Sequence, residues 1–273
     1  MSKQPSAVGC ASHAHRRIPI GTPDSLALIQ LACVTLVAAA VQGALGFGFT
    51  LLAVSFFLLI IQSGDAVQLL IVINLAISLA LIGRLWRNVN RALWTRLVVG
   101  AFLGFPLGLM AFQNADVDQL KVMVAATILT FVAWTVLRRG GTQHGSDPTP
   151  RFRTPSAIGV GALAGGMTTA LGMPGPALVL YLTAVGVGKE ATRSISLTFF
   201  VVSYGVALIL QAATVGVSTG VWVTAALLVP VAVVGALLGH VLARRVSETL
   251  FRRAVLTLVA ATGAYVLFDA LIP

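Results

Sequence analysis

Gln42, Gly46, Gly48 and Thr50 share the stretch Gln42-Gly43-Ala44-Leu45-Gly46-Phe47-Gly48-Phe49-Thr50. Thr168, Thr169, Gly172, Pro174 and Gly175 share Thr168-Thr169-Ala170-Leu171-Gly172-Met173-Pro174-Gly175-Pro176. Glycines admit left-handed backbone and close approach of a ligand, while Gln and Thr add neutral hydrogen-bonding groups. A helix that starts just after such a stretch points unpaired amides and a partial positive charge back at it. Pro176 suits the first helical position, where no amide donor is needed. The chemistry on offer is therefore the non-covalent binding of a small anion. Nothing resembles a P-loop, a zinc ligand set or a catalytic triad, so no enzyme activity, cofactor or metal is expected.

Both stretches interrupt long apolar runs. The chain has 273 residues, of which 58% are hydrophobic and 10% charged, against about 25% charged in a soluble domain. Apolar runs lie near 26–44, 48–61, 66–83, 97–113 and 119–137, and then near 156–171, 175–186, 194–212, 220–242 and 254–271. So many long runs describe a polytopic membrane protein. Bilayer helices should not break at mid-depth, because freed backbone groups find no water there. Two related breaks in two halves of a membrane protein mark a solute site. Residues 49–61 rise only about 20 Å as a helix, against a hydrocarbon core of about 30 Å. That favours hairpins with tips inside the protein over two tilted spans.

The halves repeat. The Ala-Leu-Gly cores at 44–46 and 170–172 are 126 residues apart, Gly64 matches Gly188, Asn74 matches Thr198, and Trp94 matches Trp222. Gly104 and Gly108 match Gly235 and Gly239, as expected of an internal repeat whose loops vary in length. Asn74 and Thr198 are polar residues within spans, placed to face the same cavity or to serve helix packing. The Gly100, Gly104, Gly108 stripe and the Gly235, Gly239 stripe read as small-residue packing contacts, within the chain or in a homodimer.

Each hairpin enters and leaves on one side, and three spans follow. One side then collects fourteen of the eighteen Lys and Arg, while Lys3, Arg16, Arg17 and Lys121 fall on the other. The positive-inside rule makes the first side cytoplasmic and turns both termini outward. The net charge of +10 is thus accounted for without nucleic acid, and membrane lipid is the expected surroundings. With an odd number of crossings, the second half is inverted relative to the first. The expected fold is an all-α polytopic membrane protein of two inverted five-segment repeats, whose Gly/Pro-interrupted hairpins meet near the midplane. It comprises a polar tail over 1–25, a first repeat over 26–137, a cytoplasmic linker over 138–155 and a second repeat over 156–271.

Arg16 and Arg17 before an apolar run, with Ala38-Ala39-Ala40 following, imitate a signal peptide. Cleavage there would remove a helix whose counterpart in the second half is intact. Cys10 and Cys33 form no disulfide framework, and Cys33 is expected to be buried. No acidic residue lies within the core of a span, which weakens coupling to protons or cations. An anion moving down an inside-negative potential would leave the cell. Lys189 and Arg193, one turn apart at the cytoplasmic mouth, either anchor the helix end or attract the anion. His240 reads as a packed or interfacial histidine, and Trp86, Trp94 and Trp222 as interface residues.

The run Gly172-Met173-Pro174-Gly175-Pro176-Ala177-Leu178-Val179-Leu180-Tyr181-Leu182, preceded by Gly165-Gly166, resembles the second-half motif of the TauE/SafE sulfite-exporter family. Gly186-x-Gly188-Lys189-x-x-x-Arg193 and Phe199-Phe200 are similar to it as well, and Gln42-Gly43-x-x-Gly46-Phe47-Gly48 resembles its N-terminal motif. The resemblance spans roughly residues 26–271; it departs at Leu51 to Leu59, which lack a proline, and at Ala177, where a second proline is common. It implies a bacterial inner-membrane permease for sulfite, sulfoacetate or another organosulfonate. An anion channel, a proton-coupled importer and a membrane scaffold without flux are the remaining readings.

Overall fold

The computed structural model describes residues 25–83, 89–137 and 154–242, with single helical positions at Thr257, Ala261, Tyr265 and Phe268. The polar tail, nearly all of the linker, most of the last apolar run, Cys10, Trp86 and ten of the fourteen cytoplasmic-side cations lie outside the described residues. Among the described residues the chain forms nine α-helices and no strand: α1 (Ser25–Leu45), α2 (Phe49–Ile61), α3 (Asp65–Ile82), α4 (Arg91–Asn114), α5 (Val117–Leu137), α6 (Thr154–Leu171), α7 (Gly175–Ala184), α8 (Lys189–Thr214) and α9 (Thr219–Leu242). Six of them, α1, α3, α4, α5, α8 and α9, are long and apolar enough to cross a bilayer.

Two helices start earlier than hydropathy indicates. α4 begins at Arg91 because the Asn90 side chain accepts the Leu93 amide at 3.2 Å, an N-cap. α8 begins at Lys189 and takes Lys189, Glu190 and Arg193 into its first turns. Asp65 opens α3 from a buried position, where it accepts a hydrogen bond from the Ser218 hydroxyl at 3.2 Å. Cys33, expected inside, is exposed on α1, because the buried face of that helix runs through Leu31, Thr35, Ala38, Ala39 and Gln42.

Glycine builds the two main seams. Along α4, a Cβ at Gly100, Gly104 or Gly108 would land on the backbone carbonyls of Ile158, Ala162 or Gly166 in α6. Along α9, Gly235 and Gly239 meet the carbonyls of Leu36 and Ala40 in α1. Both pairs run parallel, since residue numbers rise together along each seam. Exchanging the halves turns one seam into the other. The central pair, α3 and α8, runs antiparallel: Gln68 near the start of α3 donates at 2.9 Å to the carbonyl of Gly216, just beyond the end of α8. α4 and α9 also share an internal proline, Pro106 and Pro230. The glycine stripes are spent on contacts between the halves, which hold the two breaks against each other.

Candidate functional site

Both breaks are buried. Phe49 to Ile61 and Gly175 to Ala184 give second legs of 13 and 10 residues, about 20 and 15 Å long, so their tips end inside the protein. In the first break Gly46 and Gly48 take φ of 85° and 112°, backbone that side chains with a Cβ rarely adopt. Gly48 stands as the N-cap of α2 without a side-chain cap. In the second break Gly172 takes φ of 66° and Pro174 is the N-cap of α7. Pro176 therefore sits at the second helical position rather than the first, and it still replaces an amide that has no intrahelical acceptor.

The two breaks meet at one small pocket, lined by Gln42, Gly48, Thr50, Leu51, Met173, Gly175, Pro176, Phe200 and Tyr204. The N-terminal turns of α2 and α7 both open on it. It is small, with room for about one water. Gln42 is 1% exposed. Its Oε1 accepts the Phe49 amide at 3.3 Å, and this fixes the orientation of the side-chain amide, because the flipped form would set N–H against N–H. Nε2 is then the end left for the pocket, buried and without a partner. A buried N–H₂ with nothing to donate to costs roughly 1–3 kcal/mol; an acceptor in the pocket would recover it.

A chain of hydrogen bonds runs through the pocket wall from one half to the other. Asn74 donates to the Thr50 hydroxyl at 2.8 Å. Tyr204, fully buried, donates to the Gly172 carbonyl at 3.2 Å. Thr50 is then the donor in the 3.3 Å contact between the two hydroxyls. Phe200 packs on the Tyr204 ring at 5.7 Å between centroids.

The carbonyl ends of the broken first legs are capped by α8. Arg193 Nη2 donates to the Gly43 carbonyl at 3.0 Å and to His240 Nδ1 at 2.9 Å. Gln211 Nε2 donates at 2.8 Å to the carbonyl of Thr169, the counterpart of Gly43 in the second half. Arg193 is half-buried inside the α1–α8–α9 junction, and a Cβ on Gly46 would strike its side chain. Lys189 is exposed at the first position of α8.

Of the residues singled out from sequence, Gln42, Gly48, Thr50 and Gly175 line the pocket. Asn74, Gly46, Gly172 and Pro174 stand just behind it. Thr168 spends its hydroxyl on the Ala164 carbonyl at 2.6 Å, and Thr198 on those of Ser194 and Ile195. Thr169 reaches across to the Phe105 carbonyl of α4 at 3.0 Å. Tyr204, Phe200, Met173, Gln211 and Gln68 went unremarked as functional residues. Polar side chains inside apolar runs were the signal for Tyr204, Gln68 and Gln211.

The model of the family described as "Sulfite exporter TauE/SafE" matches residues 31–266 of the chain. No curated protein and no solved structure matches it.

Proposed function

The chain belongs to the TauE/SafE sulfite-exporter family, a family of membrane transporters, and from that premise we propose that it is a multi-pass secondary permease carrying a small oxyanion outward across the bacterial inner membrane. Sulfite or an organosulfonate is the substrate, and the pocket between the two breaks is where it binds. The observation that carries the reading is Gln42 Nε2, a buried donor without a partner in a pocket on which two helix N-termini open. Such termini favour anions.

The inverted relation of the halves is supported by the antiparallel α3–α8 pair and by the interchangeable glycine seams. The termini face the periplasm on the charge count, and Lys189 and Arg193 stand at the cytoplasmic entrance. The pocket as it stands holds about one water, so loading a three-oxygen anion requires the halves to rearrange. This favours alternating access over an open channel. The Thr50–Tyr204–Gly172 bridge between the halves is what must loosen. An inside-negative potential supplies roughly 2.3 kcal/mol per charge per 100 mV for export of the anion.

The test is potential-driven flux of labelled sulfite in proteoliposomes, with Gln42→Leu beside the unaltered chain. Saturable flux is expected to fall about tenfold or more in the variant, the loss of one buried donor to an anion. Thermal unfolding in detergent verifies that the variant folds. Equal flux from a folded Gln42→Leu would remove the pocket from the pathway.

A further inference from the structure

Resting on the permease reading, we propose that the pocket selects singly charged oxyanions, a hydrogensulfite or an alkylsulfonate, and rejects doubly charged ones. No Lys, Arg or His is among the residues that line it. Its positive potential comes from the first turns of α2 and α7, each equivalent to roughly half an elementary charge. Together they match about one negative charge.

The negative ends of the neighbouring helices do not cancel this. The Gly43 carbonyl of α1 is taken up by Arg193, and the Thr169 carbonyl of α6 by Gln211. Arg193 carries a full positive charge beside the first break, and it offsets the half-charges at the C-terminal ends of α1 and α6, so that the two N-terminal half-charges remain to face the anion. The remaining donor, Gln42 Nε2, is neutral. Leu51, Met173 and Phe200 supply an apolar wall, which suits the methyl of an alkylsulfonate and leaves a second charge with no hydrogen-bonding partner. A dianion would bring about one unbalanced charge into a buried site, and such a charge is costly unless it is paired.

Methanesulfonate and sulfate make the comparison directly, since they share a tetrahedral shape and differ by one methyl against one charged oxygen. Each is added as a competitor to labelled sulfite flux through the full chain in proteoliposomes, at fixed pH and membrane potential. Methanesulfonate is expected to compete at least about tenfold better than sulfate, one decade for an incompletely balanced charge. Equal or better competition by sulfate overturns the inference and leaves the permease reading intact. Sulfite flux that neither anion inhibits overturns it as well. Absence of any sulfite flux sinks the permease reading, and the inference with it. Gln42→Lys adds a charge at the pocket and should move the ratio toward sulfate by about tenfold; an unchanged ratio in a folded, active Gln42→Lys places selection elsewhere.

Discussion

The first and second breaks do the same topological job with different chemistry. The first bends through two left-handed glycines, Gly46 and Gly48, and its carbonyl end is held by the charged Arg193, which also donates to His240. The second bends through one left-handed glycine, is stiffened by Pro174 and Pro176, and has its carbonyl end held by the neutral amide of Gln211. Proline removes backbone freedom, whereas glycine adds it. A charged cap binds about twice as strongly as a neutral one. The second break therefore reads as the fixed wall of the site and the first as the part whose shape depends on its surroundings.

The largest expected effect sets Gly48→Ala against Gly175→Ala. At Gly48 the backbone φ is 112° and a Cβ would sit 3.2 Å from Val41 Cγ1. Ala there should cost about 2–3 kcal/mol of stability, from left-handed strain plus crowding. At Gly175 the backbone is helical and a Cβ would make ordinary contacts at 3.7 and 3.9 Å with Phe200 and Phe47, so its effect stays within about 0.5 kcal/mol. Thermal unfolding in detergent reads both. Similar losses would erase the difference between the breaks.

Next come the caps. Arg193→Met leaves the Gly43 carbonyl without its donor and should cost about 2 kcal/mol, whereas Gln211→Met leaves the Thr169 carbonyl unpaired for about 1 kcal/mol. Arg193→Lys should recover only part of the loss, because an ammonium is more strongly hydrated and lacks the planar geometry that sets Nη2 against both acceptors. If the two Met variants are equally stable, the charge on the first cap contributes nothing.

The positions of the breaks were legible because backbone rules act locally. A glycine pair or a Gly-Pro cluster inside an apolar run marks where a helix must stop, whatever packs around it. The apolar runs were equally readable, and the α4 and α8 starts were misjudged only because charged first-turn residues resemble loop in a hydropathy count. The pocket's far wall was not legible. Phe200 and Tyr204 lie on α8 among other buried residues, and which face meets the breaks depends on the α3–α8 crossing. The roles of Arg193 and Gln211 were hidden for a related reason, since an open carbonyl finds its donor in three dimensions, 150 and 42 residues away along the chain.

The smallest expected effect concerns Thr168, the second-half counterpart of Gln42. Both are fully or nearly fully buried polar residues at the end of a first leg, and from sequence they carried equal weight. Their environments differ. Gln42 crosses the break, accepts the Phe49 amide and presents a partnerless Nε2 to the pocket. Thr168 turns back on its own helix and gives its hydroxyl proton to the Ala164 carbonyl, a carbonyl already bonded within the helix, so little is lost when that bond goes. Thr168→Ala should change sulfite flux by less than about twofold and stability by no more than about 0.5 kcal/mol, while Gln42→Leu loses about tenfold in flux. A Thr168→Ala chain that folds normally but transports as poorly as Gln42→Leu would show that the second break exchanges its hydroxyl for the anion during transport. The two breaks would then act as equals in the cycle, however differently they are built.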